Sequence, residues 1–354
     1  MSAIRTVPAG SRADTADGGR RRPGSGPAWV RPLPGLALAV GIGVLATLIG
    51  QRLPTVGAPV IAVIVGGLLS TRLRSAALGP GLSLASGRVL QLSVVLLGAQ
   101  LSLRQVARVG ASSLPVMLGT LAICLTAAWL IGRWLGVGRD LRTLIGVGTA
   151  ICGASAIAAV SPAIRAKSAD IAYAISTIFL FNVIAVLLFP PLGHALGLSQ
   201  SQFGLLSGTA VNDTSSVVAA STSYGSTAAQ HAVVVKLVRT LMIIPVVLAL
   251  GTMTQRRLGE ASRNRVSQAV RLVPWFLIGF VVVVALNSAG AIPAAVHAPV
   301  KQAAQLCIAV ALAAIGLSTD VRALRSAGSR PLLLGFTLWL VVTASSLGLI
   351  ALTT

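Results

Sequence analysis

Acidic residues are nearly absent from this chain: seven Asp and Glu stand against 28 Lys and Arg in 354 residues, a formal net charge of +21. Aromatic residues make up 4%, and histidine and cysteine occur three times each. So few carboxylates and histidines supply no set of nucleophile, base and orienting group, and no metal-ligand cluster, so the chain is not expected to be an enzyme or to need a cofactor. Cys124, Cys152 and Cys307 fall in apolar segments without CxxC spacing and are odd in number, which implies neither a disulfide framework nor a metal site. Cys124 and Cys307 read as packing residues, and Cys152 stands apart only through the motif around it. His194, His231 and His297 have no paired carboxylate and read as surface histidines. Gly66-Gly67 and similar runs lack a phosphate-loop lysine, so nucleotide binding has no support.

Apolar residues are plentiful instead, at 55% with a mean hydropathy of +0.88 and 10% charged residues, which excludes an ordinary soluble domain. Eleven apolar segments occur, at 34–50, 56–71, 87–103, 112–132, 143–162, 171–191, 203–223, 231–252, 272–291, 302–318 and 331–352. At about 1.5 Å per residue most can cross a hydrocarbon core of about 30 Å, the shorter ones only just. The expectation is an all-α polytopic membrane protein with one transmembrane domain over 32–354. Residues 1–31, with Arg5, Arg12, Arg20, Arg21, Arg22 and Arg31 among Gly, Pro and Ser, read as a disordered basic tail that stays cytoplasmic near anionic lipid. The excess of positive charge is thus a topology signal and not a nucleic-acid footprint. No small-residue cleavage site follows the first apolar run, which is read as a retained helix.

Two segments echo one another. Gly148-Thr149-Ala150-Ile151-Cys152-Gly153-Ala154-Ser155 and Gly208-Thr209-Ala210-Val211-Asn212-Asp213-Thr214-Ser215 lie sixty positions apart, and each interrupts an apolar segment with small and polar residues. Broken backbone at bilayer depth is tolerated only where protein or a wet cavity surrounds it, so a repeated break points to a binding or permeation site. If all eleven segments crossed, Arg165 and Lys167 would lie outside and the loop 192–202, which has no Lys or Arg, inside, against the positive-inside rule. Both conflicts vanish if 143–162 and 203–223 dip in and return, leaving about nine full spans. The units 143–191 and 203–252 then enter from opposite faces, an inverted repeat. Arg104 and Arg108 remain a misfit. A shorter echo joins Leu101-Ser102-Leu103 to Leu317-Ser318-Thr319 before Asp320, Arg322 and Arg325.

Of the seven acidic residues, Asp14, Asp17, Asp140, Asp170, Glu260 and Asp320 suit tail, loop or helix-end positions. Asp213 sits in the centre of the second break, and a carboxylate at bilayer depth costs roughly 3 kcal/mol on insertion scales. Lys236 and Arg239, three residues apart, share a helix face in the next span. One reading is a structural ion pair with Asp213, the second base snorkelling to the interface; the other is surplus positive charge that attracts an anion. Half-helix amides and the hydroxyls of Thr149, Ser155, Thr209, Thr214 and Ser215 suit an oxyanion. Cys152, Gly153 and Asn212 belong to the same breaks, and Asn182, mid-span in segment six, is a polar contact for a hairpin or inter-helix glue. Asp213 is also the candidate carrier of a coupling H+ or Na+.

The run from Gly146 to Ala159, followed by Gly208 to Val217, resembles the signature of the sulfate exporter family of bacterial inner-membrane proteins, over roughly 33–354. The resemblance implies a multi-pass carrier of the inner membrane, distantly similar to the bile-acid and cation/proton antiporter superfamily, and sulfate export through the family's name. The function expected is ion-coupled secondary transport of a small anion by alternating access. A Na+-coupled importer of an organic anion, or a membrane subunit of an ion-translocating enzyme complex, are the alternatives. The partners implied are the anionic substrate and the lipid bilayer, not nucleic acid, with a homo-oligomer left open.

Overall fold

The computed structural model describes residues 32–52, 57–70, 72, 73, 75, 77–258, 273–318 and 329–353. The expected tail at 1–31, Glu260, Arg263, Arg265, Arg271 and the joint with Asp320 lie outside them. Among the described residues every regular element is helical: α1 (Leu33–Arg52), α2 (Gly57–Ser70), α3 (Gly79–Leu84), a π turn (Ala85–Val89), α4 (Leu90–Leu97), a 3₁₀ turn (Gly98–Gln100), α5 (Leu103–Trp134), α6 (Arg139–Ala150), α7 (Ala154–Ile164), α8 (Ser168–Ala195), α9 (Gln200–Ala210), α10 (Thr214–Tyr224), α11 (Ser226–Leu241), α12 (Ile243–Leu258), α13 (Trp275–Ser288), α14 (Ala294–Ser318) and α15 (Ser329–Thr353). In lipid every backbone group must be satisfied within the segment, and a helix does this without neighbours. Polar residues mark the starts: Ser102 with Gln105, and Ser199 with Gln202, close capping boxes at α5 and α9.

Among the described residues seven stretches are long and apolar enough to cross a membrane, from Leu33–Gly50 to Ser329–Thr353, with α11 and α12 forming one stretch, Ser226–Arg257. The 14-residue helices α2 and α13 are shorter. Two hydrophobic clusters organise them. One holds α5 to α9, α12 and α15 around Leu144, Phe181, Phe189, Phe203 and Trp339. The other holds α1 to α4, α13 and α14 around Val94, Phe280, Val284 and Ile308. Helices α10 and α11 lie between the two, giving Val217, Ala228 and Ala232 to the first and Val218, Ala219, Val233 and Val234 to the second. Trp339 stacks on Phe181 and Phe189 at centroid distances of 6.1 and 5.8 Å and fastens α15 to α8. In the second body α2 meets α14 backbone to backbone. A Cβ on Gly66 would stand 2.5 Å from the Ala313 carbonyl oxygen, and one on Gly316 2.5 Å from that of Val63.

The two broken segments are helical hairpins. Arg139, Asp140 and Thr143 at the start of α6 border the same depression as Ile164 at the end of α7, and Gly148 packs on Ile157. Likewise Tyr224 at the end of α10 stacks on Phe203 of α9 at 3.9 Å, donates its hydroxyl to the Leu198 carbonyl, and is followed by Gly225 against Gln200. The 28-residue α8 connects the end of the first hairpin to the start of the second. At about 1.5 Å per residue it is long enough to traverse the layer, so the hairpins enter from opposite ends and converge in the middle.

Candidate functional site

The breaks fall at equivalent positions. Helix α6 stops at Ala150 and α9 at Ala210; α7 starts at Ala154 and α10 at Thr214; Gly153 and Asp213 are the corresponding N-caps. Gly153 adopts φ +68°, a left-handed conformation that glycine enters without penalty, and it turns the chain back on itself there. Being glycine, it gives the first amides of α7 no side-chain cap. At the matching place Asp213 accepts from the Ser215 backbone N–H at 3.0 Å and from the Ser215 hydroxyl. The tips touch: a Cβ placed on Gly153 would lie 3.6 Å from the Asp213 Cβ.

Lys236 joins the tips from behind. Its Nζ donates to the Ile151 carbonyl at 2.8 Å and the Val211 carbonyl at 2.9 Å, just past the last residues of α6 and α9. Arg239 Nε donates to the Ala150 carbonyl at 2.6 Å. Helix C-termini carry a negative partial charge and unpaired carbonyls, so a buried cation between two of them is held by both. This departs from the ion-pair reading: among the described residues Asp213 bonds its own helix start and not a base, and Arg239 is fully buried and does not snorkel, while neither base lines the cavity described next. Carbonyls fixed at the helix ends are the nearer partners, and they claim the bases first. The two terminal nitrogens of Arg239, Thr149 Oγ1 and Asn212 Oδ1 are buried without a hydrogen-bond partner among the described residues.

In front of the tips lies a cavity of about 200 Å³. The first body contributes Ala154, Ile175, Ile178, Phe179 and Asn182, the second Ser86, Ile315 and Ser318, and the start of α10 between them Asp213 and Ser215. Asn182 fastens the second tip, its Oδ1 accepting from the backbone N–H of Asn212 at 3.1 Å and of Asp213 at 3.2 Å, so its Nδ2 is the donor available at the cavity wall. Along α8 the lining runs from Asn182 back to Ile175, and the cavity therefore extends toward the end where α8 begins.

Of the residues singled out in the sequence, Asn182, Asp213 and Ser215 line this cavity. Gly153, Ser155 and Thr214 stand in the first turns of the helices that open into it. Cys152 and Asn212 are buried inside the breaks. Of the five hydroxyls expected to face an anion only Ser215 lines it: Ser155 and Thr214 stand beside it, Thr209 donates to the Leu205 and Leu206 carbonyls of its own helix, and Thr149 is buried on α6. Back-bonding within a helix satisfies a threonine at no cost in tertiary contacts. Ser86 and Ser318 complete the cavity and were not expected in it. The signal for Ser86 was a π turn, a local widening frequent at functional sites, which has no sequence marker here. Ser318 carried the short echo of Ser102.

The sequence profile of the family described as Conserved hypothetical protein 698 matches residues 34–335. A UPF0324 membrane protein of Streptococcus pneumoniae is 40% identical over 324 residues, covering 89% of this chain and 95% of the relative. One of Streptococcus mutans is 39% identical over 329 residues, covering 90% and 96%. One of Streptococcus agalactiae is 38% identical over 323 residues, covering 89% and 96%. The match begins after the basic tail and takes in both hairpins and both walls of the cavity.

Proposed function

We propose that this chain, which belongs to the Conserved hypothetical protein 698 family of multi-pass membrane proteins, is a secondary active transporter that moves a small anion by alternating access, coupled to H+ or Na+. The observation that carries this reading is the convergence of two oppositely entering hairpins on a cavity walled by two separately packed bodies. A site between bodies can be exposed to one side or the other by moving one body against the other. The correspondence of Gly153 with Asp213 and of Ala150 with Ala210 supports an inverted repeat. The resemblance of Gly146 to Ala159 and of Gly208 to Val217 to the sulfate exporter family supports an oxyanion or sulfonate as substrate.

The electrostatics favour an anion. Helices α7 and α10 begin at the cavity with their amides forward, and Lys236 and Arg239 stand behind the tips, so two positive charges and two helix N-termini outweigh one carboxylate. Asp213 then sets the coupling. A proton or Na+ on its carboxylate removes the charge that opposes the substrate, and by linkage a bound anion draws the proton or Na+ in. Lowering the pH or adding Na+ therefore strengthens anion binding. Lys236 and Arg239 act as positioning residues that hold the half-helix ends.

Eight basic residues, Arg133, Arg139, Arg142, Arg165, Lys167, Arg256, Arg257 and Arg330, belong to the end where α6 starts and α7 ends. Arg104, Arg108 and Lys301 belong to the other, where α5 starts beside Ser288. The positive-inside rule supports placing the first end, and the chain's start with it, on the cytoplasmic side, and the resemblance to inner-membrane carriers supports the plasma membrane.

The test is anion flux in proteoliposomes under imposed pH or Na+ gradients, with sulfate, sulfonates and carboxylates in turn, for the native protein and Asp213→Asn. The variant is expected to keep anion-induced thermal stabilisation, because its amide mimics the neutral acid, and to lose the response to H+ and Na+. Ion-coupled transport unchanged in Asp213→Asn removes Asp213 from the mechanism. The apolar wall of Ile175, Ile178, Phe179 and Ile315 favours one second reading, a Na+-coupled importer of an organic anion. Uptake that requires Na+ and prefers an anion with an apolar body over sulfate distinguishes it.

A further inference from the structure

Two depressions adjoin at the end of the molecule where α6 starts, remote from the hairpin tips. One, of about 180 Å³, sets the charged Arg139, Asp140 and Arg257 beside the apolar Ile164, Leu250 and Met253. The other, of about 260 Å³, is apolar, with Leu125, Trp129, Val147, Val246 and Ala249 in its wall and Arg142 at its edge. Thr143 and Leu250 belong to both walls, so the two adjoin and together make a groove with a charged head and an apolar body. We propose that this groove binds an anionic glycerophospholipid, the headgroup phosphate between Arg139 and Arg257 and an acyl chain along Trp129, Val246 and Ala249.

Charge, depth and access each fit that occupant. Three arginines face one aspartate along the groove, and α6 begins at its head behind Gly138, which has no side chain to cap the first amides. Both features favour a phosphodiester. Trp129 is 54% exposed and lies five residues before the end of α5, the depth at which amphipathic rings meet the headgroup layer. Trp129 and Ala249 are exposed on the surface that faces lipid, so the apolar half opens sideways into the bilayer. Free phosphate would leave that half unfilled. The chain's own tail is basic and would be repelled by the head, as would a second copy bringing its own arginines to the same place.

The inference depends on the membrane setting and not on the transported substrate, so it stands or falls separately from the proposed activity. The measurement is thermal stabilisation of delipidated protein in detergent by phosphatidylglycerol, by phosphatidylcholine of the same acyl chains and by inorganic phosphate. The expected result is stabilisation by phosphatidylglycerol alone. In Arg139→Gln/Arg257→Gln the preference for phosphatidylglycerol should fall about 30-fold, each arginine near an anionic surface being worth about fivefold. In Ala249→Trp, which fills the apolar half and leaves the arginines in place, phosphatidylglycerol binding should fall as well, and monodisperse elution checks that each variant is folded. Equal stabilisation by the two lipids, or a preference that survives both changes, overturns the proposal. So does stabilisation by inorganic phosphate equal to that by phosphatidylglycerol, which would make the head a soluble-anion site. The comparison of the three ligands on the native protein decides the matter even if a variant fails to fold.

Discussion

Lys236 donates to the Ile151 and Val211 carbonyls, one in each break. Replacing it with Met keeps the length and apolar volume of the stem but leaves Ile151 and Val211 without a donor inside the layer. An unsatisfied buried polar group costs about 1–3 kcal/mol, so Lys236→Met is expected to lose about 2–4 kcal/mol, read as a fall in melting temperature in detergent. Were Lys236 a spare cation facing substrate, the same change would abolish anion binding and leave stability untouched. The sequence made the pair Lys236 and Arg239 conspicuous, since bases are rare inside apolar segments. Their partners could not be read there, because backbone carbonyls exposed by a break carry no residue signature. Asp213 and Asn182 were legible for the opposite reason: a carboxylate or amide at bilayer depth must be served by some group nearby, and each in the structure fastens a hairpin tip.

Among the helices, the hairpins were visible as an echo of small and polar residues together with the charge of the loops, and the structure supplies the junctions that close them, Tyr224 on Phe203 and Gly148 on Ile157. The close meeting of α2 and α14 was not legible, because glycine is common throughout membrane helices and only the partner reveals which one is in contact. Gly66 and Gly67 are neighbours in sequence with opposite surroundings. A methyl on Gly316 or Gly66 meets backbone, whereas one on Gly67 meets nothing within 4 Å. Gly316→Val is therefore expected to destabilise by about 1–3 kcal/mol or more through forced separation of backbones. Gly67→Ala is expected to be neutral or to stabilise by up to about 1 kcal/mol, the ordinary gain of alanine over glycine in a helix. Melting temperatures of the two variants side by side check the contrast.

For the molecule as a whole, the described cavity has a direction. It runs from the hairpin tips toward the start of α8, the end that is cytoplasmic in the proposed orientation. In a Cys307→Ala background, where Cys124 and Cys152 are buried, a membrane-impermeant maleimide should label Ala154→Cys, in the cavity wall, in inside-out vesicles and not in right-side-out ones. Labelling from the outer side alone would reverse the assigned orientation or the direction of the opening. The division into two bodies could not be read from hydropathy, since long spans such as α1, α8 and α15 show little difference between their faces and only packing shows which faces adjoin protein and which adjoin lipid. Ser86 and Ser318 belong to a wall that the echo of the two breaks did not report.

One amine shared by two hairpin tips restricts how such a molecule can flex. With Lys236 acting as a rivet through both, one tip cannot slide past the other unless a hydrogen bond is given up within the layer. The joint that gives way more readily is the seam where Ser86 and Ser318 face Asp213 and Asn182, so the paired hairpins would swing together as a single jaw.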